Sequence, residues 1–230
     1  LARRAEAAAP AETPQAAPGL GTIVRTPEYR RLVAFFSSYW AVVSFLGGPP
    51  FIYTALIFSQ VVNFSGSQAL LLSASLSVVY VIANIVGQYF VLDQLGRKPL
   101  AVGICSVAAV AALATGLLEG SPVGLVVAFG VFAVCTQTAP IPFWPWSVEQ
   151  LPTRIRATGQ SFGSASGKLG QFIGLNLFTA GTITAIGWLP YFAFIGVGFG
   201  ALAIFVALRG TETKGADLDR LDRVAPGRTT

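Results

Sequence analysis

Lys168 lies about ten residues into an apolar stretch and is the one charged side chain inside any long apolar run of this chain. A lysine at mid-membrane costs roughly 2.5–3.5 kcal/mol on insertion scales, so it calls for a polar cavity or a partner. The alternative is a lysine near a helix end that extends to the headgroups. At 100° per residue, Ser161, Ser164, Lys168 and Gln171 fall on one helical stripe. Gly159, Gly163, Gly167, Gly170 and Gly174 fall on another, about 120° away. Glycines spaced by three and four let a neighbouring helix approach closely. The chemistry on offer is solute binding rather than bond making. With no histidine, Ser–His and Cys–His catalysis are excluded. Two cysteines, Cys105 and Cys135, are too few for a zinc site and read as buried small hydrophobes. No enzyme activity and no cofactor are expected.

A second polar stripe is formed by Ser73, Ser77, Tyr80, Asn84 and Gln88, spaced 4, 3, 4 and 4. Such amides either bond a neighbouring helix or line a substrate path. Two apolar runs are interrupted, one by Gly47, Gly48, Pro49 and Pro50, the other by Thr136, Gln137 and Thr138 followed by Pro140, Pro142 and Pro145. Prolines remove backbone donors, and broken membrane helices free backbone groups for a site or a hinge; a simple kink is the alternative. Trp144 and Trp146 fit an interfacial anchor as readily as a site. The candidate ligands are Lys168 and Gln171, then Asn84, Gln88, Gln137 and Trp40.

These residues need membrane helices to position them. Of 230 residues, 53% are hydrophobic and 11% charged, against roughly 25% charged in soluble domains. Six apolar segments, about 32–62, 67–92, 99–118, 122–147, 158–180 and 187–208, are each long enough to cross a bilayer as a helix. The links after the first, third and fifth carry no Lys or Arg. Arg25, Arg30, Arg31, Arg97, Lys98, Arg154, Arg156, Arg209 and Lys214 all fall on the opposite side. That side is expected to be cytoplasmic, with both termini there. The net charge of +5 is thereby assigned to topology and not to nucleic acid. The expected organisation is a flexible cytoplasmic linker over 1–24, a six-helix bundle over 25–208 and a cytoplasmic tail over 209–230. The Ala- and Pro-rich opening, without a signal-peptide core, suggests the end of a linker in a longer chain.

The loops carry a family resemblance. Asp93-Gln94-Leu95-Gly96-Arg97-Lys98 resembles the D-x-x-G-R-K/R cytoplasmic loop of the major facilitator superfamily. Glu149 to Gly159, with Pro152, Thr153, Arg156 and Ala157, is similar to the E-x-x-P-T-x-x-R-A-x-G loop of its sugar-porter and metabolite:proton symporter branches. Thr211-Glu212-Thr213-Lys214-Gly215 resembles their P-E-T-K-G tail. The resemblance implies helices 7 to 12 of a twelve-helix transporter, one half-bundle whose partner is an amino-terminal six-helix half. It also implies a cytoplasmic gate of Asp93, Gly96, Arg97, Glu149 and Arg154 that stabilises the outward-open state. Ser164-Ala165-Ser166-Gly167-Lys168-Leu169-Gly170 is similar to a stretch of phosphate:proton symporters in which the lysine helps bind the anion. Those symporters carry an acid four positions after a tryptophan; with Trp40 as that tryptophan, Ser44 stands there.

The expectation is an all-α multi-pass protein of a plasma or inner membrane. It would be a secondary active, proton-coupled symporter of a small solute, with phosphate or an organic anion favoured because Lys168 has no carboxylate inside the spans. A sugar transporter and a transport-inactive truncated product are the alternatives. The partners are a small-molecule substrate and the lipid bilayer, with no nucleic acid.

Overall fold

The computed structural model describes residues 20–61 and 63–215, all helices and connections. Most of the expected linker and the end of the expected tail lie outside the described residues. The chain runs through α1 (Leu20–Arg25), α2 (Pro27–Ile52), α3 (Thr54–Val61), α4 (Gly66–Val86), a π-helical turn (Gly87–Val91), α5 (Leu92–Leu95), α6 (Arg97–Leu117), α7 (Pro122–Thr138), α8 (Pro140–Gln150), α9 (Arg156–Leu177), α10 (Ala180–Ile186) and α11 (Trp188–Arg209). Part of the linker is helical: α1 forms because Ile23 is buried with Tyr29, Val33, Leu151 and Ile155.

Local chemistry sets the starts and breaks. Ser65 and Gln68 form a reciprocal capping box at the start of α4. Ser121 and Thr179 accept from the amides of Gly124 and Thr182 at the starts of α7 and α10. The expected first span is divided at Tyr53, three residues past the Pro49–Pro50 pair, where the Thr54 hydroxyl donates to the carbonyls of Pro50 (3.0 Å) and Phe51 (2.7 Å). The expected fourth span is divided at Ala139, immediately before Pro140.

Five stretches are long and apolar enough to cross a membrane: Pro27–Ile52, Gly66–Leu95, Arg97–Leu117, Pro122–Gln150 and Trp188–Arg209. The fifth expected crossing, 158–180, coincides with α9, a helix of 22 residues whose serines, glutamines, lysine and glycines leave it outside that set.

The glycine stripe of α9 is buried and faces α2. A Cβ at Gly170 would fall on the Ala41 carbonyl oxygen, and one at Gly174 on that of Phe45, so the two backbones are in near contact. The core between α2, α6, α7 and α11 is aromatic, with Tyr39, Phe129, Phe132, Phe192 and Phe199 at 1% exposure or less. α4 is the exception: only 11% of its apolar window is buried, against 44–50% in the other four spans. Leu70, Leu71, Val78, Val81, Ile82 and Ile85 stand exposed along it. An apolar surface of that extent requires lipid or another helix against it.

Candidate functional site

Four elements meet around a cleft of about 350 Å³. The last turns of α2 supply Trp40, Val43, Ser44, Gly47, Gly48 and Phe51. The end of α7 supplies Thr136 and Gln137, the start of α8 supplies Pro140 and Trp144, and α9 supplies Ser164, Gly167, Lys168 and Gln171. The proline breaks bring both interrupted helices to the cleft. Close packing brings α9 there, since Gly48 lets the Gln171 stem lie where a Cβ would approach it to 3.1 Å.

One wall is a fixed aromatic array. Trp40 stacks on Phe143 at 4.9 Å and 18°, Phe143 stacks on Tyr39 at 5.7 Å and 9°, and Trp144 meets Phe143 edge-on at 4.8 Å. The Trp40 edge lies on Gly167, where a Cβ would not fit. The Tyr39 hydroxyl donates to the Ala139 carbonyl at 3.2 Å, tying the array to the α7–α8 break.

The α9 side of the cleft is polar and cationic. Lys168 is exposed and forms no ion pair among the described residues. No Asp or Glu lines the cleft, so its field is that of one ammonium with hydroxyl and amide dipoles. This arrangement can hold an anion or a polar neutral solute, and it contains no group suited to breaking a covalent bond.

A second cluster gathers the loop motifs at one end of the bundle. The Arg97 guanidinium donates to Glu149 Oε1 through Nε (3.0 Å) and Nη2 (2.8 Å), and through Nη1 to Asp93 Oδ1 (3.2 Å). The other Glu149 oxygen accepts from the Thr213 hydroxyl. The Glu212 carboxylate accepts the first two amides of α6, Arg97 N (3.1 Å) and Lys98 N (3.0 Å), and the amides of Thr213 (2.9 Å) and Lys214 (2.8 Å). A carboxylate at a helix start also meets the positive end of the dipole. Gly96 permits the approach: at φ +91° it sits where side chains are strained, and a Cβ would lie 2.9 Å from Glu212. Burial by itself would raise the Glu212 carboxyl, but the amides of Lys214, Arg97, Lys98 and Thr213 together hold it below the ordinary carboxylate range. Trp146 Nε1 and Gln150 Nε2 both donate to the Thr211 carbonyl, at 2.8 and 2.7 Å, and Lys214 Nζ donates to the Gln94 carbonyl at 2.6 Å.

The sequence model of the sugar (and other) transporter family matches residues 9–225. The chain belongs to that family. It is therefore a multi-pass membrane transporter of the major facilitator superfamily and not an enzyme. A comparison with curated proteins finds no match.

In this transporter Lys168, Gln171, Gln137 and Trp40 come together in the cleft. Asn84 stands one layer back, its amide donating to the carbonyls of Tyr80 (2.9 Å) and Gln137 (3.2 Å), which is the helix-bonding alternative for that residue. Gln88 is exposed on the π-helical turn and does not line the cleft. Of the gate residues, Asp93, Gly96, Arg97 and Glu149 converge; Arg154 is exposed in the turn between α8 and α9. Sequence reasoning omitted Ser44, Thr136, Trp144 and Ser164 from the cleft lining, although the proline break beside Thr136 and Trp144 and the stripe through Ser164 were signals for three of them. Neither tryptophan of the α8 pair reads as a simple interfacial anchor: Trp144 lines the cleft, and Trp146 is 1% exposed beneath the tail.

Proposed function

We propose that the chain is the carboxy-terminal six-helix half of a twelve-helix secondary transporter. It carries a small anion, phosphate or an organic acid, by proton-coupled symport and alternating access. In this reading α9 crosses the membrane as the fifth of six spans, both termini are cytoplasmic, and an amino-terminal half covers α4 and closes the cleft from the other side. Lys168 and Gln171 bind the anion, Gln137 and Trp40 shape the cleft, and Asn84 and Gln88 take supporting polar roles along the path. The ion-pair cluster of Asp93, Gly96, Arg97 and Glu149, with Arg154 beside it, is the gate that forms in one state and opens in the other.

The observation that carries the reading is the cleft's charge: Lys168 stands there without a carboxylate among the lining residues. A cation in a membrane cleft without a counter-charge favours an anionic ligand. Uptake of labelled phosphate, small carboxylates and glucose by the full-length protein tests it, with Lys168→Ala compared at matched membrane abundance. Anion uptake that collapses in the variant supports the reading; unchanged uptake removes Lys168 from the site. A sugar transporter is the second reading, favoured by the indoles of Trp40 and Trp144 on the cleft wall, since an aromatic face also accepts the apolar face of a sugar ring.

A further inference from the structure

Resting on the anion reading above, we infer that the solute taken by this cleft is an aromatic carboxylate, its acid group on Lys168 and Gln171 and its ring laid against the indole wall formed by Trp40 and Trp144. The four tryptophans divide into two kinds. Trp146 and Trp188 are 1% and 6% exposed, and their indole N–H groups are bonded to the carbonyls of Thr211 and Thr115. Trp40 and Trp144 line the cleft, and neither indole N–H has a hydrogen-bond partner among the described residues. Their ring centroids lie 5.9 Å apart at 60°. Trp40 is held by Phe143 on its stacked face and by Gly167 at its edge, so this wall is rigid before any ligand arrives. A flat ring gains most from such pre-placed aromatic surfaces, by offset-stacked or edge-to-face contact.

The charged group of the cleft lies on α9. Lys168 and Gln171 are three residues apart on one face of that helix, and both side chains reach the cleft. Together they offer an ammonium and an amide N–H, the donors that a carboxylate's two oxygens require. Inorganic phosphate would leave the apolar faces of Val43, Phe51 and the indoles uncovered, whereas an aromatic ring covers them. A neutral hexose would leave the ammonium without the counter-charge that a carboxylate supplies. The part of the cleft on this half, about 350 Å³, has room for a single ring.

The test is a thermal-shift and tryptophan-emission titration of the purified full-length protein with phenylacetate, benzoate, lactate, phosphate, glucuronate and glucose. It is run on wild type, Trp144→Leu, Trp144→Phe and Lys168→Ala. Phenylacetate or benzoate is expected to stabilise the protein and to perturb its emission. Trp144→Leu is expected to weaken that binding by roughly threefold to tenfold, the size of one aromatic contact, and Trp144→Phe to restore most of it. The melting temperature without ligand shows whether each variant is folded, and the Phe variant carries the test should the Leu variant not be. Lactate or phosphate binding as tightly as phenylacetate, or no response to either aromatic acid, overturns the aromatic class. If Lys168→Ala still abolishes anion binding, the anion reading stands without it. Glucose binding that survives Lys168→Ala overturns both.

Discussion

The guanidinium of Arg97 grips a single oxygen of Glu149 through two nitrogens, at 3.0 and 2.8 Å, joining the start of α6 to the end of α8 across 52 residues of sequence. Both side chains are largely shielded, at 15% and 18% exposure, whereas Asp93, the other partner of Arg97, is 78% exposed. Hydrogen bonds to charged groups contribute about 1.5–3 kcal/mol when shielded, and exposed ion pairs about 0–1 kcal/mol. Glu149→Gln is therefore expected to weaken this end of the bundle far more than Asp93→Asn. Arg97→Lys is expected to resemble Glu149→Gln, because an ammonium lacks the guanidinium's fork. Melting temperatures and cysteine accessibility on α8 would show the ranking; equal effects of Asp93→Asn and Glu149→Gln would refute it.

The tail depends on the ionised form of Glu212. Its carboxyl is held below the ordinary glutamate range, so its contribution to docking is fully present above that range, which is ~4.3. It is lost as pH falls through the lowered value. Trp146 reports the event, since its indole N–H is bonded to Thr211 immediately before Glu212. The Trp146 emission, taken as the difference from Trp146→Phe, is expected to hold steady through neutral pH and to change only in acid. Glu212→Gln is expected to give the acid-form emission at neutral pH and to abolish the change in acid. A transition near neutrality would contradict this account.

Close packing of α2 and α9 predicts an ordered glycine series. At Gly170 a Cβ meets the Ala41 carbonyl oxygen, a backbone atom that cannot rotate away; at Gly103, on α6, it meets nothing within 4 Å. Gly170→Ala is expected to lower stability by about 1–3 kcal/mol, the usual cost of overpacking. Gly103→Ala is expected to be neutral or slightly stabilising from helix propensity. Detergent melting curves of the two variants provide the measurement, and a tolerated Gly170→Ala would mean that the helices lie farther apart.

Ser44 and Lys168 line the same cleft. Ser44→Asp places a carboxylate there, which is expected to pair with the ammonium and to compete with an anionic solute. Anion affinity should fall by at least about tenfold, equivalent to 1.4 kcal/mol. Unchanged affinity would argue that the anion is held elsewhere.

Much of the fold is legible locally. Apolar runs of membrane length, serine and threonine caps and paired prolines depend on neighbours within one or two helical turns, so the sequence by itself determined where most helices lie and that α2–α3 and α7–α8 are interrupted. It determined that Lys168 and Gln171 share a face, because three-residue spacing returns to the same side of a helix. Motif resemblance brought Arg97 and Glu149 into one cluster. Which amides reach the cleft was decided only by tertiary structure. Asn84 and Gln137 are equally polar in the sequence, yet the rotation of α4 turns Asn84 onto the Gln137 backbone and leaves the Gln137 side chain at the cleft. Trp144 and Trp146 are two residues apart and so about 200° apart around α8; packing against α2 and the tail decides which faces the cleft and which is buried. The capping of α6 by Glu212, 115 residues beyond Arg97, has no local signal. A helix start leaves amides unsatisfied wherever it occurs, and only the folded chain determines which distant carboxylate reaches them.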